Sequence, residues 1–173
     1  MTIRRRRFLL MLGAMGAAWP AKAAPAGFQP LFDGKTLQGW HKPPRKMRHG
    51  TGGHWMVEEG GVLAGEQDPP GSGNGGIFLT DEKFGDFELE LEMNPDRGPD
   101  TGVFFRCTDA GDGFQMYVRQ FNGETCPLPD YNKEKVAEVL GREGSIGLQI
   151  HKGAKMWPPG TKCRWRNLRI KRL

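Results

Sequence analysis

The chain has 173 residues, with 25 Lys and Arg against 20 Asp and Glu. Five of the basic residues and none of the acidic ones fall within residues 1–23, so residues 24–173 carry 20 of each. That balance excludes a nucleic-acid binder, which needs a basic face, and the remaining length suits one domain.

Residues 1–23 join a cationic start (Arg4 to Arg7), an apolar middle (Phe8 to Trp19) and a small-residue site, Ala21-Lys22-Ala23. This is the layout of a secretory signal peptide, too short and wrongly flanked for a membrane span. Arg5-Arg6 followed by Arg7-Phe8-Leu9 fits the twin-arginine type. The protein is therefore expected to be exported to the periplasm or beyond, with no stable membrane span after processing and a single domain over 24–173.

Beyond the signal the chain alternates between strands and turns. Lys42 to Gly53 and Gln67 to Gly76 are Gly/Pro-rich loops, and "WMVEEGGVLAG" (55–65) predicts a hairpin turning at Glu58 to Gly61. "FGDFELELEM" alternates strictly, Phe87, Leu89, Leu91 and Met93 on one face and Glu88, Glu90 and Glu92 on the other. "TGVFFRCTD" sets Val103, Phe105 and Cys107 against Phe104, Arg106 and Thr108, and "DGFQMYVRQ" sets Phe114, Met116 and Val118 against Gln115, Tyr117 and Arg119. One short helix is predicted from Asn132 as a cap to Gly141 as a stop. "SIGLQIHKG" (145–153) puts Ile146, Leu148 and Ile150 on an apolar face and Gln149 and His151 on a polar one. In "KCRWRNLRIKRL" the apolar phase slips by one between Trp165 and Leu168, the mark of a bulge at Arg166-Asn167. With 26 Gly and 13 Pro supplying turns, the expected class is all-β, an antiparallel sandwich of the jelly-roll kind.

Few motifs carry chemistry. Gly71 to Gly76 lacks the flanking strand, helix and Lys-Ser/Thr of a phosphate loop and reads as a turn. Glu88, Glu90 and Glu92 invite comparison with a glycosidase's paired carboxylates, but three like charges on one strand face read as a solvated sheet face. Arg106, Gln115, Tyr117, Gln149 and His151 all take the polar phase of their strands. If those strands share a sheet, the five converge on one surface whose donors suit sugar hydroxyls. Trp40, Trp55 and Trp157 are candidates to stack on a sugar ring. His41, His49 and His54 flank or lie in a loop; a divalent metal is a possible cofactor, although incidental loop histidines are the commoner case. Three cysteines, Cys107, Cys126 and Cys163, allow one bridge whose pairing the sequence leaves open.

Taken in order, "LFDGKTLQGW" (31–40), "WMVEEGGVLAG", "GGIFLTDEKFGDFELELE" (75–92), "TGVFFR" (101–106), "GFQMY" (113–117), "GSIGLQIH" (144–151) and "WRNLRIKRL" (165–173) resemble the 3-keto-disaccharide hydrolase domain family. The resemblance implies a concanavalin A-like jelly roll acting on oxidised sugars, with a small-molecule carbohydrate as partner. It implies a family arginine at Arg106, a glutamine-histidine pair at Gln149 and His151, and a turn at Trp165, Arg166 and Asn167. Two departures stand out. Gln115 replaces the family's usual carboxylate, and only Arg119 to Gly144 lie where relatives carry several more strands, so the sandwich is expected to have fewer strands.

The chemistry implied is removal of the proton at C2 beside a C3 ketone, expulsion of the group at C1, and addition of water. On this reading His151 is the base or a metal ligand, Arg106 steadies the enolate, and Glu58 is an alternative base if its hairpin overhangs the face. Gln115, Tyr117, Gln149 and Trp55 would hold the sugar. The alternative is a non-catalytic, lectin-like carbohydrate-binding module, which the loss of the carboxylate at Gln115 favours.

Overall fold

A computed structural model describes residues 23–44, 51–111, 114–116, 138 and 141–173. The expected signal peptide up to residue 22, His49, Tyr117, Cys126 and, apart from Glu138 and the stop at Gly141, the expected helix lie outside the described residues.

Among the described residues ten strands form two antiparallel sheets. The first contains β1 (Gln29–Pro30), β3 (His54–Glu58), β4 (Val62–Glu66), β6 (Phe87–Pro95) and β10 (Cys163–Arg172). Here β10 runs between β6 on one side and β4 and β1 on the other, and β3 lies beyond β4. The second has the order β2 (Trp40–His41), β5 (Gly76–Thr80), β9 (Ser145–Ile150), β7 (Val103–Cys107), β8 (Phe114–Met116). The predicted hairpin is β3-β4, closing at Glu58 opposite Val62. The predicted bulge in β10 is present: the register slips between Arg166 and Arg169, and Asn167 takes φ 51°, a left-handed conformation that Asn tolerates better than most residues.

The sheets pack face to face, as period-2 alternation requires. Trp55, Leu63, Trp165, Leu168 and Ile170 from the first sheet meet Phe78, Val103, Ile146, Leu148 and Ile150 from the second. Trp55 stacks on Phe78 across the interface at 4.8 Å and leans on Trp165 at 5.5 Å. Phe87, Leu89, Leu91 and Met93 of β6 all face this core.

The outer faces differ. On the first sheet, the three glutamates of β6 stand opposite cations of β10. Arg166 holds Glu92 at 2.6 Å, Lys171 lies 3.6 Å from Glu88, and Glu90 is in register with Arg169. The solvated-face reading of "ELELE" holds, with cross-strand pairing added. On the second sheet, Ile77, Leu79, Phe104 and Cys107 form a separate buried apolar group. All six residues of β9 are buried, Ser145 and Gln149 included, which corrects the expectation of a wet polar side. The reason is its place in the sheet: β9 lies between β5 and β7, whose outward side chains are apolar.

Candidate functional site

Gln149 and His151 stand at the carboxyl end of β9, on the outward phase of the second sheet. Gln149 is fixed through its main chain. Its N–H donates to the Gly102 carbonyl at 3.0 Å, and its carbonyl accepts the Thr101 hydroxyl at 2.6 Å. His151 follows the strand and is partly buried, with Nδ1 2.6 Å from the Lys152 carbonyl oxygen. A carbonyl can only accept, so Nδ1 carries the proton and Nε2 keeps the lone pair. That is the tautomer in which Nε2 can take a proton or ligate a metal.

The backbone around His151 is clamped by a residue that sequence reasoning missed. Gln67, just after β4, is completely buried. Its amide nitrogen donates to the carbonyls of His151 at 3.0 Å and Gly153 at 3.3 Å, and its oxygen accepts the Gly73 N–H at 3.0 Å. The Gly153 N–H closes the ring on the Gly73 carbonyl at 2.7 Å. The Gly-rich loop is thus a fitted piece. A Cβ on Gly75 would stand 2.0 Å from the Ile150 carbonyl oxygen, so only glycine allows this approach.

Arg106 does not join this group. A second bulge lies between Phe104 and Cys107, and Arg106 takes φ 52° within it. This turns Cys107 to the outward side with Phe104, correcting the predicted alternation of β7. The Arg106 guanidinium bonds Asp86 at 2.8 Å and the Gly141 carbonyl at 3.4 Å. Cys107 is in register with Ser145, and at about 3.3 Å per residue the run from there to His151 places Arg106 and His151 roughly 15–20 Å apart along the sheet.

Glu58 lies on the other sheet. Lys162 and Arg164 bind its carboxylate at 3.0 and 2.6 Å, and Arg164 also bonds Asp96 at 2.7 Å. Burial pushes the Glu58 carboxyl up, but the hydrogen bonds and charges of these two cations outweigh it and leave its pKa below the ordinary value. Its strand is two layers from the outward face of β9, so Glu58 does not overhang that face.

Trp55 is likewise corrected. It is 5% exposed, stacked in the core, with its indole N–H on the Gly52 carbonyl, and offers no face to a sugar. Trp40 and Trp157 are buried too, their indole N–H groups bonded to the carbonyls of Leu31 and Thr161. Gln115 occupies β8 opposite Phe104 in the ladder. Among the described residues no three His, Cys, Asp or Glu side chains are grouped to hold a metal. His41 and His54 instead pair with Asp81 and Glu66. Cys163 is buried in the core, where desolvation raises its thiol pKa. It is not bridged to Cys107, which faces the opposite side of the second sheet.

The 3-keto-alpha-glucoside-1,2-lyase-like domain family matches residues 27–133, more than half of the chain. The chain belongs to this family. The match covers β1 to β8 and ends before β9, so Gln149 and His151 lie beyond the matched residues. A 3-keto-disaccharide hydrolase of Bacteroides thetaiotaomicron is 33% identical over 89 residues, which take in 46% of this chain and 27% of that protein. Two crystal structures from Parabacteroides distasonis, both assigned as glycosyl hydrolases, share the fold at a TM-score of 0.51. One is 15% identical, the alignment covering 85% of this chain and 94% of that one; the other is 20% identical, covering 84% and 99%. Among the described residues no helix is long and apolar enough to cross a membrane.

Proposed function

We propose that the protein cleaves 3-keto-glycosides by elimination across C1 and C2, and that His151 is the base that starts it. The observation that carries the reading is membership of a family described by 1,2-lyase chemistry on a 3-keto-α-glucoside. A ketone at C3 acidifies the C2 hydrogen. Nε2 of His151 takes that proton, the resulting enolate expels the oxygen at C1, and the imidazolium returns a proton to the departing oxygen. Addition of water to the new double bond then completes a net hydrolysis. Gln149, buried in the sheet, fixes the end of β9 beneath His151 through its main chain and does not reach the sugar. Arg106, tied to Asp86 at the other end of β9, shapes that end of the face and has no part at the reacting atoms. The signal-like residues 1–23 support a protein exported before it acts; the mature chain would begin at Ala24, which N-terminal sequencing of exported material checks.

The second reading, a carbohydrate-binding module without turnover, draws on the distance between Arg106 and His151, which leaves the base without that cation beside the enolate. One experiment separates the two. The protein is given a 3-keto-disaccharide such as 3-keto-trehalose, with hydrogen or deuterium at C2. The elimination reading expects sugar release that slows several-fold on deuteration. Equal rates would remove the C2 proton from the mechanism, and binding without release would favour the module.

A further inference from the structure

Gln67 holds more of the site together than any residue singled out for chemistry. It is buried completely, yet its side chain bonds nothing on its own hairpin. An amide nitrogen has two hydrogens, and here both go to carbonyls two residues apart, those of His151 and Gly153. The amide oxygen takes the Gly73 N–H, and this partner set also fixes which end of the amide is nitrogen. With the carbonyls on either side of it drawn to one amide, the carbonyl of Lys152 is left to face the imidazole, and there it accepts the Nδ1 proton. The chain of contacts therefore runs from a buried amide, through the 151–153 turn, to the choice of which imidazole nitrogen is free.

We propose that Gln67 is a positioning residue that sets the tautomer of His151. It touches no reacting atom. It acts through the turn, keeping the proton on Nδ1 and the lone pair on Nε2, as the outer partners of an active-site histidine do. The proposal rests on the reading of His151 as the base only for its catalytic consequence; the tautomer itself can be observed without substrate.

The test uses the full chain with ¹⁵N-labelled histidine and long-range ¹H–¹⁵N correlation spectra, which distinguish the two tautomers of neutral His151. Wild type should show Nδ1–H alone. Gln67→Met, which removes every donor and acceptor at similar volume, should show a mixture of tautomers. Gln67→Glu, which at neutral pH keeps the shape but has no N–H, should do the same. In both, kcat on a 3-keto-disaccharide should fall about 10–100-fold with KM little changed. If wild type shows Nε2–H, the proposal is overturned, and that spectrum decides even should neither variant fold. If the variants keep pure Nδ1–H while kcat falls, Gln67 is merely structural and the proposal again fails. If the tautomer mixes as expected but His151→Ala turns over as well as wild type, the positioning role stands and His151 as base does not.

Discussion

The outer faces of the two sheets are built on opposite principles. On the first, every glutamate of β6 has a cation opposite it on β10, and Glu58, Arg164 and Asp96 extend the pattern to the edge. Such pairs are exposed in part, screened by salt and individually weak. On the second, Ile77, Leu79, Phe104 and Cys107 are buried beside Gly147, where a Cβ would press on Ile77 at 2.8 Å and Cys107 Sγ at 3.2 Å. Charge that is already neutralised does little for a ligand, whereas a partly buried histidine at the end of an apolar face can do chemistry. The carboxylates that first look catalytic lie on the first sheet, whereas the proposed base stands at the end of the second, whose buried outward group among the described residues is apolar.

The comparison can be pressed by mutation, the severest first. Trp55→Ala should cost about 3–5 kcal/mol, because it empties the ring stack between the sheets. Thermal unfolding should fall by ~10 °C, and a fall of only a degree or two would return Trp55 to the list of surface residues. Leu79→Ala on the outward face of β5 should cost about 2–4 kcal/mol by denaturant titration, since that face is packed. Glu88→Ala, at the matching place on the first sheet, should cost under about 1 kcal/mol. Equal losses would erase the distinction between the faces.

The smallest effect is pH-dependent. The pKa of Glu58 is held below the ordinary carboxylate value, so its contribution is present above that value and is lost as pH falls through the folded pKa. Glu58→Gln should therefore be less stable than wild type at pH 7, by under about 1 kcal/mol given its exposure. As pH falls through the folded pKa the two urea midpoints should converge, because the wild-type carboxyl takes up its proton. A gap that stays undiminished down the acid limb of the titration would show that the cations contribute nothing through charge.

Comparing these regions with the sequence shows where pattern reading works and where it stops. The bulge in β10 was legible because the apolar phase itself slips, from Trp165 to Leu168. The bulge in β7 was not. Val103, Phe105 and Cys107 alternate without interruption, but Phe104 is apolar as well, so both faces look greasy and the phase holds no record of the slip. The left-handed residue there is Arg106 rather than Gly or Asn, which removes the usual local sign. Gln67 was illegible for another reason. It sits in a polar, Gly/Pro-rich loop, and its partner His151 is 84 residues away. Strand alternation also cannot tell a polar residue on a wet face from one on a buried outer face, and so it placed Gln149 on a polar surface although it is buried.

The account turns on His151 as the reacting base, and kcat of His151→Ala on 3-keto-trehalose, set beside Glu58→Ala, tests it most directly. The account predicts a loss of about 10²–10⁴ for His151→Ala, the usual range for a general base, and a change within about twofold for Glu58→Ala. A His151→Ala protein that releases sugar at the wild-type rate, or a Glu58→Ala protein that loses activity while remaining folded, would contradict it.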